Sequence, residues 1–211
     1  MLSYLRFGLT VTGIGTAILC FLLLGLAVMD AETMRLPDAF TLLGIVLGIL
    51  YSGISLAFFD VFPGALILPW GIGIIGVHSP GHAADPLFWR LLLAGIIASA
   101  IWAILAALLL LLIRWLYFLV RRQEGLGMGD VKLLAMIAAW LGPAPTILTL
   151  LLGALATALF GILAVVLSRG KRPFLTTRLP LGSFLCAAAI YTIFAGDPIL
   201  AWYMHFYGIG N

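Results

Sequence analysis

Eight acidic residues occur in a chain of 211 residues that is 64% hydrophobic, and two of them stand where an acid is costly. Asp30 ends the long apolar run Phe7–Met29, and Asp130 follows Gly127-Met128-Gly129 at the start of another. Ionisable groups set among membrane helices are expensive to keep there, which makes them functional candidates by default. Two carboxylates brought within hydrogen-bonding distance cannot both ionise easily, so one proton is shared and the pair titrates as a unit. That state suits peptide hydrolysis: the ionised acid draws a proton from water while the protonated acid donates to the carbonyl oxygen. Gly127 and Gly129 are expected to permit backbone geometries closed to other residues and to leave room for a substrate backbone beside Asp130. A helix-start Asp is also a common cap, and a GxGD string alone is a weak signal in a glycine-rich membrane protein. The elements that carry the acids must therefore decide.

Those elements are apolar helices. Only 9% of the residues are charged, and no soluble domain of this length could bury so much apolar surface, so the solvent is lipid. The expected fold is an all-α polytopic membrane protein, one membrane-embedded domain over residues 1–211, with no internal repeat or flexible linker. About six transmembrane helices are expected, at Phe7–Met29, Ala39–Phe59, Leu87–Val120, Val131–Leu141, Thr146–Leu167 and Leu181–Ala195. A short carboxy-terminal interfacial helix, Ile199–Tyr207, follows; it is too short to span and rich in Trp and Tyr. Asp60–Pro86 is apolar in its first part but interrupted by Pro63, Gly64, Pro69, Gly71, Gly73 and Gly76, and is read as a re-entrant or interfacial segment. If it spanned, Asp30 and Asp130 would fall on opposite faces of the membrane.

Basic residues orient the bundle. With alternating spans, Arg35, Arg121, Arg122, Lys132, Arg169, Lys171, Arg172 and Arg178 share one side, and Arg6 and Arg90 the other. Lys and Arg accumulate on cytoplasmic loops, so the first side is expected to be cytoplasmic and both termini outside. Asp30 and Asp130 then lie on the same, cytoplasmic, side.

The residues around both acids resemble the type IV prepilin peptidases, a family of GxGD membrane aspartyl proteases. Asp30-Ala-Glu-Thr-Met-Arg-Leu-Pro37-Asp38-Ala-Phe-Thr looks like the family's first motif block. Gly125-Leu-Gly-Met-Gly-Asp-Val-Lys-Leu-Leu-Ala135 and the later Ala-Trp-Leu-Gly142 look like its second. Leu179-Pro-Leu-Gly-Ser-Phe-Leu185 resembles a later Pro-Phe-Gly-Pro turn, with Leu181 and Ser183 as departures. The resemblance implies an inner-membrane aspartic endopeptidase, working at the cytoplasmic face, that removes the short basic leader from prepilins or from type II secretion pseudopilins. Asp30 and Asp130 match the two family aspartates. Asp38 and Lys132 match motif positions and take supporting roles, Asp38 as a cap of the second span and Lys132 as a charge near Asp130. Glu32 and Glu124 are candidates for contact with the basic leader. Larger members carry a further amino-terminal span and a cytoplasmic domain with a cysteine quartet, associated with methylation of the cleaved pilin. This chain matches a short form without those cysteines, so neither zinc nor any other cofactor is expected and methyltransferase activity is doubtful.

Other signals are weaker. Cys20 and Cys186 lie singly inside apolar stretches and read as small buried hydrophobes. His78, His82 and Asp85 suggest a metal site, but Pro80-Gly81 between the histidines breaks the helix that would put them on one face. Gly44 and Gly48 have the spacing that lets membrane helices approach closely, between copies or within one chain. The formal net charge of +3 gives no support to a nucleic-acid partner. Two alternatives stay open: a presenilin-like intramembrane protease, and a proton-coupled transporter using the two aspartates as carriers. Met29 before Asp30 speaks against the first, and the position of both acids at span ends against the second. The sequence does not determine an oligomeric state.

Overall fold

The computed structural model describes residues 11–33, 37–57, 86–122, 127–167 and 181–206. They form α1 (Val11–Thr33), α2 (Asp38–Ala57), α3 (Pro86–Arg121), α4 (Met128–Leu141), α5 (Pro143–Leu167) and α6 (Leu181–Phe206). In hydrocarbon no water satisfies a backbone N–H or C=O, and a helix pairs these groups within its own segment. Four stretches, Gly13–Glu32, Asp38–Leu56, Phe88–Val120 and Pro143–Leu163, are long and apolar enough to cross a membrane, and α6 adds the shorter apolar stretch Leu181–Ala195. The chain is an all-α, multi-pass membrane protein.

Details depart from the sequence-based expectation. The carboxy-terminal piece Ile199–Tyr207 is not a separate helix, because α6 runs unbroken through Gly196-Asp197-Pro198 to Phe206. Proline lacks the N–H that a helix interior uses, but inside membrane proteins the freed groups can be satisfied by neighbours. Helix α4 has 14 residues and rises about 21 Å, short of the roughly 30 Å hydrocarbon core. It is buried from Leu133 to Leu141 without a break, so protein rather than lipid surrounds it. The expected re-entrant segment, and with it His78, His82 and Asp85, lies outside the described residues.

Helix α4 is the centre of the bundle. It packs closely against α2 and α3 and touches α5 and α6, while α1 and α5 each pack along α6. Lipid tails are as apolar as leucine, so close packing and interhelical hydrogen bonds hold such a core together. Gly44 and Gly48 of α2 face α4: a Cβ at Gly44 would collide with Met136, and one at Gly48 with the ring of Trp140. Their spacing thus serves packing within the chain. At the same place Trp140 Nε1 donates to the Gly44 carbonyl at 2.8 Å, and the Trp140 ring stacks on Tyr51 with centroids 4.9 Å apart. Ser99 Oγ of α3 donates to the Ala139 carbonyl at 2.7 Å, and Thr149 and Thr192 join α5 to α6 at 3.2 Å. Gly142 ends α4 with φ 75°, a left-handed value that favours glycine, and α5 begins at the next residue. These contacts fix α4, whose first turn carries Asp130.

Candidate active site

Asp30 lies in the last turn of α1 and is buried, with 5% of its surface exposed. A buried carboxylate needs hydrogen-bond partners, and these come from the first turn of α6. The Ser183 N–H donates to Asp30 Oδ2 at 2.6 Å, and Ser183 Oγ lies 2.9 Å from the same oxygen. The N–H is free for this because the first four N–H groups of a helix have no partner within it, and Ser183 is the third residue of α6. Ser183 Oγ also reaches the Ala27 carbonyl, at 3.1 Å. The sequence marked Ser183 only as a departure from a motif. Its position at a helix start, where Ser side chains commonly meet anionic or backbone partners, was the available signal.

Asp130 is the third residue of α4, after the extended cap residue Gly127 at φ −72° and ψ 147°. Its carboxylate accepts a hydrogen bond from the Gly127 backbone N–H, the reverse arm of a capping box. This corrects the expected role of the glycines. Gly127 has a φ open to any residue, Gly129 is helical, and among the described residues Gly142 is the glycine with positive φ. A Cβ at Gly127 would stand 3.5 Å from Asp130 Oδ2, an ordinary contact. What the glycines leave is an uncluttered approach, with Gly127 exposed and Gly129 half-buried.

The charge of Asp30 reaches Asp130, 100 positions further along the sequence. Burial pushes the Asp130 carboxyl up from 3.8 to about 6, the charge of Asp30 adds to the rise, and the Gly127 N–H opposes it. Buried Cys186, one turn after Ser183 on α6, lies within electrostatic reach of both carboxylates. A carboxyl that keeps its proton to about pH 6, within electrostatic reach of one whose Oδ2 has two donors at hand, has the asymmetry that acid–base chemistry on water and a carbonyl requires.

The supporting residues fall into place around this pair. Lys132 does not pair with Asp130; its Nζ lies 2.6 Å from Asp38 Oδ1 and ties α4 to the start of α2. Asp38 is the first helical residue rather than the cap, because the Pro37 carbonyl already accepts from the N–H groups of Phe40 and Thr41. Glu32 is exposed near the end of α1, and Glu124 lies outside the described residues. No group of three or more His, Cys, Asp or Glu side chains among the described residues could hold a metal ion. One turn beyond Asp130, Leu134 opens onto an apolar pocket of about 220 Å³ between α3 and α5, lined also by Trp102, Leu109, Ala138 and Ile147.

Comparison with known proteins agrees with the motif blocks. Residues 17–162 match the type IV leader peptidase family. A prepilin leader peptidase/N-methyltransferase of Stutzerimonas stutzeri is 36% identical over 154 residues, covering 67% of this chain and 52% of the relative. One of Burkholderia pseudomallei strain K96243 is 37% identical over 154 residues, 70% of this chain and 48% of the relative. One of Pseudomonas putida is 30% identical over 205 residues, 96% of this chain and 57% of the relative. The chain thus spans about half the length of the curated relatives it matches. No solved structure matches it. On the match over residues 17–162, the chain belongs to the type IV leader peptidase family.

Proposed function

We propose that this chain is a membrane aspartic endopeptidase that cuts the basic leader from type IV prepilins or type II secretion pseudopilins. The observation that carries the reading is the electrostatic coupling of Asp30 to Asp130, whose carboxyl is raised by burial and by the Asp30 charge. In the reaction one ionised carboxylate takes a proton from water as the oxygen attacks the scissile carbonyl, and the protonated carboxyl gives its proton to the carbonyl oxygen. The tetrahedral intermediate then collapses. The newly protonated acid donates to the leaving amine, the other recovers a proton from the gem-diol, and the pair returns to its starting state. The excess of Lys and Arg on the loops beside Asp30 and Asp130 supports placing the site at the cytoplasmic face of the inner membrane. Exposed Glu32, with Glu124, would meet the basic leader; Asp38, Lys132 and Pro37 would hold the start of α2 against α4. The relatives' names also include methyl transfer; the acid pair speaks for the peptidase part, and that part alone is proposed.

The test is cleavage of a prepilin from the same genome by purified protein in liposomes, following leader loss by mass. The parent should cleave, and Asp30→Asn and Asp130→Asn should each lose cleavage at least about a thousand-fold. Cleavage by both variants would overturn the acid-pair mechanism.

A further inference from the structure

Oδ2 of Asp30 accepts from the Ser183 N–H at 2.6 Å and faces Ser183 Oγ at 2.9 Å. Such donors favour the charged carboxylate over the neutral acid. Asp130 has a different setting, half-buried and holding the Gly127 N–H. The family's usual turn has proline where this chain has Ser183, and proline has neither a backbone N–H nor a hydroxyl to offer.

We infer that Ser183 is a positioning residue that makes the acid pair unequal, holding Asp30 as the ionised base and leaving Asp130 as the proton donor. The inference rests on the peptidase reading for its role in catalysis, but the Ser183–Asp30 contact stands on geometry alone. The hydroxyl has one proton and two acceptors within reach, Asp30 Oδ2 at 2.9 Å and the Ala27 carbonyl at 3.1 Å. While Asp30 is ionised, the hydroxyl donates to it. When Asp30 has taken a proton from water, the hydroxyl turns to the Ala27 carbonyl and accepts the new Asp30 O–H. Ser183 thereby pairs with Asp30 in both protonation states, and neither half of the reaction leaves a buried polar group unmatched. Among the described residues, the titratable groups that feel the Asp30 charge from the packed helices are Asp130 of α4 and Cys186 of α6.

Three variants separate the two donors. Ser183→Ala removes the hydroxyl, Ser183→Pro removes the N–H as well at a helix position where proline is tolerated, and Ser183→Thr keeps both. In the liposome assay Ser183→Ala should lower kcat about ten-fold with KM little changed, Ser183→Pro should lower it further, and Ser183→Thr should restore most of it. Infrared difference spectra of ¹³C-aspartate-labelled protein in nanodiscs give a readout independent of turnover, the Asp30 band being identified by its loss in Asp30→Asn. Its carboxylate stretching frequency should shift in Ser183→Pro, which removes both donors, and stay near the parent's in Ser183→Thr. An unmoved band, or full kcat in Ser183→Pro, overturns the inference. A band that shifts in Ser183→Pro while the parent cleaves no prepilin upholds the Ser183–Asp30 device and sinks the peptidase reading instead.

Discussion

Replacing Asp130 by Asn should remove activity and stabilise the protein, and the size of the gain follows from where the carboxyl stands. Its folded value of about 6 lies above its ordinary 3.8. The folded state therefore binds the proton more tightly than the unfolded state. The linkage runs in one direction: the stability contributed by the neutral form is fully present below about pH 3.8, and it is lost as pH rises through about 6. At 1.36 kcal/mol per pKa unit, the rise from 3.8 to about 6 costs the folded protein about 3 kcal/mol at pH 8. Asp130 is half-buried, so solvent screening trims this to about 2–3 kcal/mol. Asn has the same shape and never ionises, and its carbonyl oxygen can still accept the Gly127 N–H. The assay is thermal unfolding in detergent at pH 4 and pH 8. The variant should unfold several degrees above the parent at pH 8 and within a degree or so of it at pH 4. Burial is the larger cause and the Asp30 charge the smaller, so Asp30 should account for less than half of the gain at Asp130. An equal gain at both pH values would refute the reasoning, because it would show that packing and not ionisation is responsible. No gain at pH 8 would mean that the carboxyl is not raised.

Two further outcomes are expected. Gly44→Ala places a methyl group against the fully buried Met136 and should cost about 1–3 kcal/mol of stability, read from unfolding midpoints in detergent, whereas Gly25→Ala, with open space around its Cβ, should cost nothing measurable. Breaking the pair of Lys132 with the exposed Asp38 by Lys132→Ala should cost no more than about 1 kcal/mol, diminishing with added salt, and the charge-swapped double variant should recover part of it.

Much of this architecture is legible in the sequence because lipid imposes a simple rule. A backbone that must satisfy itself in hydrocarbon becomes a helix, and an apolar run long enough to cross marks where. The motif blocks located Asp30 and Asp130 and the chemistry two acids could do. The sequence also registered Ser183 as an oddity without saying what it touches.

What hydropathy could not supply is the inside of the bundle. In water a helix buries its apolar stripe and the sequence shows which face is inside. In lipid both faces are apolar, so Leu134, fully buried on α4, and Leu151, exposed on α5, look alike in the sequence. Only the tertiary structure decided that α4 is the central helix, that Gly44 and Gly48 seat Met136 and Trp140 rather than a second copy, and that Lys132 answers Asp38. The same holds for the site. Asp30 and Ser183 are 153 positions apart, and no local pattern couples them. They meet because α1 packs along α6, which brings the end of one helix to the unpaired N–H groups at the start of the other. The sequence determined which residues could do chemistry and that lipid is their solvent; the packing of like-apolar helices decided which of them face one another.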